Sequence, residues 1–401
     1  MSPGRARPGT PRALVVGGSL AGLSAAAWLA SSGFAVDVLE RAPAPLQDFG
    51  AGIVLHPSTS RFLIEHERVS LDALGLGVAC LRYIGAGGEV TAESPSRLRF
   101  SSYGTLYRRL REAAERHGAR YRAGTAVVSV GSDERGAWAD LADGGRLHGE
   151  VVVGADGVRS TVRRQLFPAI SPAWAGYVAW RGVVDESALE PAVAAPLADA
   201  ITYCILYRGH LLTYPIADPA GHGVLRNWVW YRNVASAEEL RVLLQDRHGT
   251  PRDLSVPAGA VAGPASAALR SDAAAELPPP LEALVRRTPA PFLQVVVDVE
   301  PVRLVRGRVC VLGDAGFVAR PHAAAGTAKA AEEALLLAEA LRQCGDVQAA
   351  LARWEPGVLS LGRDLVARSR IAGERAQLTG TWQAGEPLPF GLRGVGDSEA
   401  W

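Results

Sequence analysis

Lysine is nearly absent from the 401 residues: Lys329 stands alone, and every other basic residue is Arg. Cysteine is scarce too. Cys80, Cys204, Cys310 and Cys344 are scattered and form no CxxC pair, which argues against a zinc site or a disulfide framework and fits a reducing cytoplasm. Neither sign of charge is in excess. The 42 basic and 41 acidic residues leave a formal charge of +1, so no global field attracts nucleic acid or an anionic membrane. Long apolar runs are missing: residues 20–30 and 330–341 are too short or too charged to span a bilayer. The opening MSPGRARPGTPR lacks the apolar stretch of a signal peptide. These absences lead us to expect a soluble cytoplasmic protein with no nucleic-acid partner, no membrane and no metal.

What is present is ordinary globular composition, 48% hydrophobic and 21% charged, which excludes a disordered chain. The length favours about two or three domains, or one large α/β unit carrying an insertion. Residues 12–17 (RALVVG) read as a short buried strand, 20–32 as an Ala-rich helix stopped by Gly33, and 34–40 (FAVDVLE) as a second strand. Parallel pairing of two such strands needs a crossover helix, so the chain opens on a βαβ unit. A helix is expected over 105–117, antiparallel strands over 126–130 and 138–141 with turn chemistry at Asp143-Gly144-Gly145, and buried strands over 151–154 and 309–313. From about 177 to 229, aromatic-rich strand-like pieces dominate (YVAWRGVV, ITYCILYRG, HLLTYPIA, RNWVWYR). They read as an inserted sheet with a face able to cover a flat ligand. Residues 251–291 suggest short helices and loops, 325–344 a long helix, and 376–401 a Gly/Pro-containing tail.

Three motifs carry chemistry. The first is Gly17-Gly18-Ser19-Leu20-Ala21-Gly22, a GxGxxG frame with Ser19 at the middle glycine. Gly17 allows the tight turn and Gly22 close helix–strand packing, while the helix N-terminus offers amide hydrogens to a pyrophosphate. Glu40, at the end of the second strand, sits where a carboxylate accepts from ribose hydroxyls. The second motif is VVVGADGVRS, ending at Ser160. The third is RLVRGRVCVLGDAGFVARPHAAAG, ending at Gly326. In it, Gly313-Asp314 closes a strand and Pro321-His322 leads a run of small residues into a helix.

These motifs, in this order and spacing, resemble the single-component FAD-dependent aromatic hydroxylases of the para-hydroxybenzoate hydroxylase fold, and among them the dihydroxypyridine 3-monooxygenase branch. The resemblance covers nearly the whole chain through GGSLAGL, FGAGIVLHP, SSYGTLY, GYVAWRG, GHLLTYPI and GDAGFVARPHAAAGTAKA. It implies an α/β fold: a Rossmann-like FAD-binding domain (10–80, 101–175, 293–375), an inserted mainly β-sheet substrate domain (81–100, 176–292), and a C-terminal helical segment before the tail at 376–401. It implies that Gly17, Ser19, Leu20, Gly22, Glu40 and Arg41 hold the ADP half of FAD, with Gly52, Tyr103 and Val128 also on the cofactor. Asp156 and Gly157 would serve both FAD and NAD(P)H, Gly313 and Asp314 the ribityl chain, and Pro321, Ala325, Gly326 and Thr327 the isoalloxazine ring. Ser19 and Ala324 stand where the wider family prefers glycine, and Tyr103 where it has arginine; all three look like this branch. His56 stands where the branch leads us to expect glutamine. The implied activity is hydroxylation of a small electron-rich phenol or hydroxypyridine by a homodimer, with NADH or NADPH reducing FAD and O₂ adding at flavin C4a.

Deprotonation makes such a ring more nucleophilic, so a His or Tyr within reach would help remove that proton. The candidates are His56 behind the FAD-wrapping loop, His322 after Pro321, and Tyr203 and Tyr214 on strands of the substrate sheet. Each has a plain alternative, a loop His satisfied by backbone or a Tyr packed on a half-buried face. Arg181 reads as structural. Trp228-Val229-Trp230 invites comparison with flavin halogenases, but Tyr231-Arg232 follows it, and it reads as pocket wall or core. Two other classes stay open: a flavin oxidase or dehydrogenase, against which Asp156-Gly157 argues, and a non-catalytic flavin-binding protein, against which the intact flavin loop argues.

Overall fold

The computed structural model describes residues 9–46, 52–394 and 396. The strand Arg12–Val16 is enclosed on both faces, which is why it reads as an unbroken apolar run. It pairs in parallel with Ala35–Leu39 on one side and Val151–Gly154 on the other. The six-stranded sheet continues through Val309–Val311 to Val305–Arg306 at one edge, and ends on Arg120–Arg122 at the other. Helix Leu20–Ser31 makes the crossover and packs between the helices Tyr103–Arg116 and Gly326–Gln343. Its Ala-rich surface permits both contacts, since small side chains let helices approach closely. The sheet Val127–Ser132, Ala137–Leu141, Arg146–Gly149 lies beside it, and Asp143-Gly144-Gly145 turns the second of these strands into the third.

A second sheet has eight strands and is antiparallel except where Cys80–Ile84 runs parallel to Ala200–Leu206. Cys80–Ile84 and Val90–Pro95 are thus stitched into a sheet otherwise built by residues 173–298. Alternation along its strands separates two cores. Trp180, Trp228 and Trp230 face one side with Leu269, Leu281 and Leu284 of the helices Gly263–Glu276 and Pro279–Arg287. Trp228 Nε1 donates to Thr288 Oγ1 at 2.8 Å. Tyr177, Tyr203, Tyr214, Val229 and Tyr231 face the other side. The WVW run therefore divides by parity, its tryptophans in the core and Val229 on the open aromatic face.

Helix Val347–Gly373 closes the molecule and ends in the π-helical turn Glu374–Thr379. Gly380 then takes a positive φ of 66° and turns the chain back. The stretch expected as a tail is packed structure as far as Arg393: Trp382, Leu388 and Phe390 lie against the aromatic face. Among the described residues, no helix is long and apolar enough to cross a membrane.

Candidate active site

A single cleft of about 1300 Å³ runs from the N-terminal glycine turn, past the Pro321–Ala323 loop, to the aromatic face of the larger sheet. Its first section is a glycine-lined cradle. Gly17 has a φ of 102°, and a Cβ there would stand 2.4 Å from Ala155 O; at Gly22 it would stand 1.9 Å from Gly17 O. Only glycine lets strand and helix close this tightly. Glu40 braces the turn, its carboxylate accepting from Gly18 N and Ala42 N at 2.8 Å each. Ser19 is the N-cap of the first helix, yet its hydroxyl caps nothing. It shares a 2.8 Å hydrogen bond with the Tyr103 hydroxyl. Ser19 and Tyr103, 84 positions apart, are therefore one unit. Burial raises the Tyr103 hydroxyl to about 12, so it stays protonated.

The second and third motifs are locked together. Asp156 caps helix Thr161–Leu166, accepting from Thr161 N at 2.7 Å and from the Ser160 hydroxyl, and Gly157 beside it takes a φ of 77°. Arg163, buried on that helix, donates to Asp314 O and Ala315 O at 3.2 and 3.0 Å. The Gly313 peptide is clamped on both sides. Its N–H donates to Glu333 Oε2 at 2.6 Å, and its carbonyl accepts from Lys329 Nζ at 2.8 Å. The ion pair between Lys329 and Glu333 is fully enclosed. Asp314 is thereby aimed into the cleft, where its side chain stays open. Crowding by protein pushes its carboxyl above the usual range, while Lys329 and Arg163 pull it back.

The loop that follows ends on Ala324, whose φ of 51° is left-handed. His56 Nε2 lies 3.0 Å from Ala324 O and holds that turn. Helix Gly326–Gln343 then starts at the cleft with no acidic residue in its first turn, so its positive end faces the site uncompensated. Beyond the loop, His322 Nε2 meets the Tyr177 hydroxyl at 2.8 Å, and His210 Nδ1 meets Gln377 Nε2 at 3.0 Å. The two imidazoles lie 5.4 Å apart. Burial lowers His322 to about 3 and His210 well below its usual value, so both are neutral at pH 7. Burial raises Tyr203 and Tyr214. Tyr214 stacks on Phe100 at 4.2 Å, and Gly52 lies flat against its ring, where a Cβ would come within 2.3 Å. Arg181 also lines this chamber, donating to Gln294 Oε1 at 2.9 Å.

Of the residues anticipated from sequence, Gly17, Ser19, Leu20, Glu40, Arg41, Gly52, Tyr103, Asp156, Gly157, Asp314, Pro321, Ala325, Gly326 and Thr327 line the cleft, as do Tyr203, Tyr214 and His322. Gly22 and Gly313 shape its walls from behind. Two placements differ. Val128 is 54% exposed, and Val127 lines the cleft in its place; successive strand residues point to opposite faces. His56, expected at the substrate, is wholly enclosed and lines no part of the cleft. It is the N-cap residue of helix Pro57–Glu65, and its ring reaches the loop backbone. Arg163, His210, Gln377 and Trp382 were not anticipated. His210 sits in the GHLLTYPI stretch, where its parity with Tyr214 marks it for the same face.

A glycine cradle, an aimed Asp314 and a small-residue loop beneath an aromatic chamber fit one class, an FAD-binding oxidoreductase. Residues 11–203 match the FAD binding domain model, and residues 174–298 the FAD binding domain-like model. The chain is 36% identical to 2,6-dihydroxypyridine 3-monooxygenase of Paenarthrobacter nicotinovorans over 388 residues, 96% of each chain. It is 28% identical to 6-hydroxynicotinate 3-monooxygenase of Bordetella bronchiseptica, covering 84% of each. The solved 2,6-dihydroxypyridine-3-hydroxylase from Arthrobacter nicotinovorans aligns with a TM-score of 0.89 at 35% identity, over 96% of this chain and 98% of that one. The chain belongs to the FAD-dependent aromatic hydroxylases, and it is a monooxygenase of aromatic rings.

Proposed function

We propose that the substrate is a small, electron-rich phenol or hydroxypyridine, with NADH or NADPH as reductant and O₂ as oxygen source. One oxygen atom replaces a ring hydrogen as hydroxyl, the other leaves as water, and the nicotinamide supplies the two electrons. The observation that carries this reading is the meeting of two neutral imidazoles and protonated tyrosines in one chamber beside the flavin loop. Relatives named for dihydroxypyridine and hydroxynicotinate chemistry support the same substrate class.

The glycine cradle, Glu40, Asp156 and Asp314 would hold FAD, which when bound supplies the redox and oxygen chemistry. The protein does the rest. As neutral imidazoles, His322 and His210 donate an N–H to the ring oxygens and so favour the more nucleophilic anionic form. Tyr203 and Tyr214 orient the ring as donors. The helix beginning at Gly326 offers positive potential to negative charge at the loop. The aromatic walls keep water out. His56 acts through the Ala324 carbonyl as a positioning residue.

The purified protein is expected to be yellow. It should bleach under NADH or NADPH faster with a hydroxypyridine such as 2,6-dihydroxypyridine present, and form a hydroxylated product in air. Bleaching by substrate without nicotinamide moves the reading to an oxidase; failure to bind FAD ends it.

A further inference from the structure

Three neighbouring strands, Cys80–Ile84, Ala200–Leu206 and Gly209–Ala217, bring Tyr83, Tyr203 and His210 side by side on the chamber side of the large sheet. Tyr83 stacks with Tyr203 at 5.6 Å and 27°, and Tyr203 with His210 at 6.1 Å and 27°. The result is a ladder of nearly parallel rings. Trp382 stands across it. Its indole is 6.1 Å from Tyr83, 5.4 Å from Tyr203 and 5.0 Å from His210, at 73°, 89° and 83° to the three rings.

The sheet does not supply this indole. It comes from the segment after Gly380, which is latched independently of the ring itself. Arg375 pairs with Glu386 at 2.7 Å. Arg368 donates to the carbonyls of Pro389, Gly391 and Leu392. Gly391 N donates to Ala323 O at 3.1 Å, tying the segment to the flavin loop. Trp382 is only partly buried and lines the chamber with Tyr203 and His210. The indole therefore bounds the space beside the ladder.

We propose that Trp382 is a specificity-determining residue that limits the chamber to single-ring substrates. This rests on the reading that the chamber takes a hydroxylated aromatic ring. Hydrophobic pockets discriminate by size about 10–200-fold for even small increments, so removal of a whole indole should be visible in binding alone.

The test measures dissociation constants by calorimetry on flavin-loaded wild type, Trp382→Ala and Trp382→Phe. The probes are 2,6-dihydroxypyridine and a two-ring hydroxyquinoline. Wild type is expected to favour the single ring, and Trp382→Ala to shift the ratio toward the two-ring probe by at least about tenfold, with Trp382→Phe in between and flavin content unchanged. Should Trp382→Ala fail to load flavin, the shift in Trp382→Phe decides. An unshifted ratio in flavin-loaded variants, or a wild type that does not prefer the single ring, overturns the proposal. Product analysis on the same samples is separate: a shifted ratio without hydroxylation would refute the proposed function and leave the role of Trp382 standing.

Discussion

Lys329→Met would remove the positive half of an ion pair whose side chains are 0% and 1% exposed. Burial already raises the Glu333 carboxyl, and Lys329 and Gly313 N are what hold it down. Without the ammonium, the carboxylate keeps only the Gly313 N–H, and the Gly313 carbonyl loses its Lys329 donor. Breaking one side of a buried pair costs about 3–5 kcal/mol, and that is the loss expected at pH 7. The pH dependence follows from the sign of the shift. The folded-state pKa of Glu333 would climb further above its ordinary 4.5, so the folded variant binds the extra proton. Its stability is therefore regained as the pH falls through that raised value toward 4.5. Adding Glu333→Gln removes the buried charge while leaving an acceptor for Gly313 N, and should return at least half of the loss. Urea unfolding of the flavin-free protein measures all three. A single variant within about 1 kcal/mol of wild type, or a double variant less stable than Lys329→Met, would refute the argument.

Asp314→Ala is expected to leave the protein colourless after desalting while its fold, followed by circular dichroism, stays intact; normal flavin content would remove Asp314 from the cofactor site. His56→Ala frees the left-handed turn at Ala324 and should make nicotinamide oxidation exceed product, the difference appearing as H₂O₂. Unchanged coupling would show that the turn holds without the imidazole. His322 titrates near 3 when folded against an ordinary 6.5, so its contribution to stability is present above 6.5 and lost as the pH falls toward 3. His322→Asn should flatten the stability profile across that window, with His210 sustaining part of the slope; an identical slope would mean that His322 is not held neutral.

The glycine turn at the head of the cleft was legible because its constraints are local. A glycine at which any Cβ would stand 1.9 Å from a carbonyl oxygen announces itself within six residues, and so does a helix that follows it. The substrate side was legible only in part. Tyr203, Tyr214 and His322 were within reach of sequence reasoning, but His210 required knowing which strand face was open. Val128 was off by one residue because strand register was not fixed by pattern alone. His56 was misplaced because the turn it supports lies 268 residues away. Trp382 and Gln377 lie where Gly and Pro interrupt any hydrophobic period, so no repeat could show that the segment folds back into the chamber.

The bond between Ser19 and Tyr103 has a consequence for how such chains diverge. The two residues are 84 positions apart, on separate segments, and each is the other's partner. Glycine at 19 alone would leave the Tyr103 hydroxyl without this partner, and arginine at 103 alone would set a guanidinium against the Ser19 hydroxyl. The two positions are expected to change together. A chimera joined anywhere between the two positions would split the pair, so productive recombination with a relative that carries other residues there should favour crossovers outside that interval.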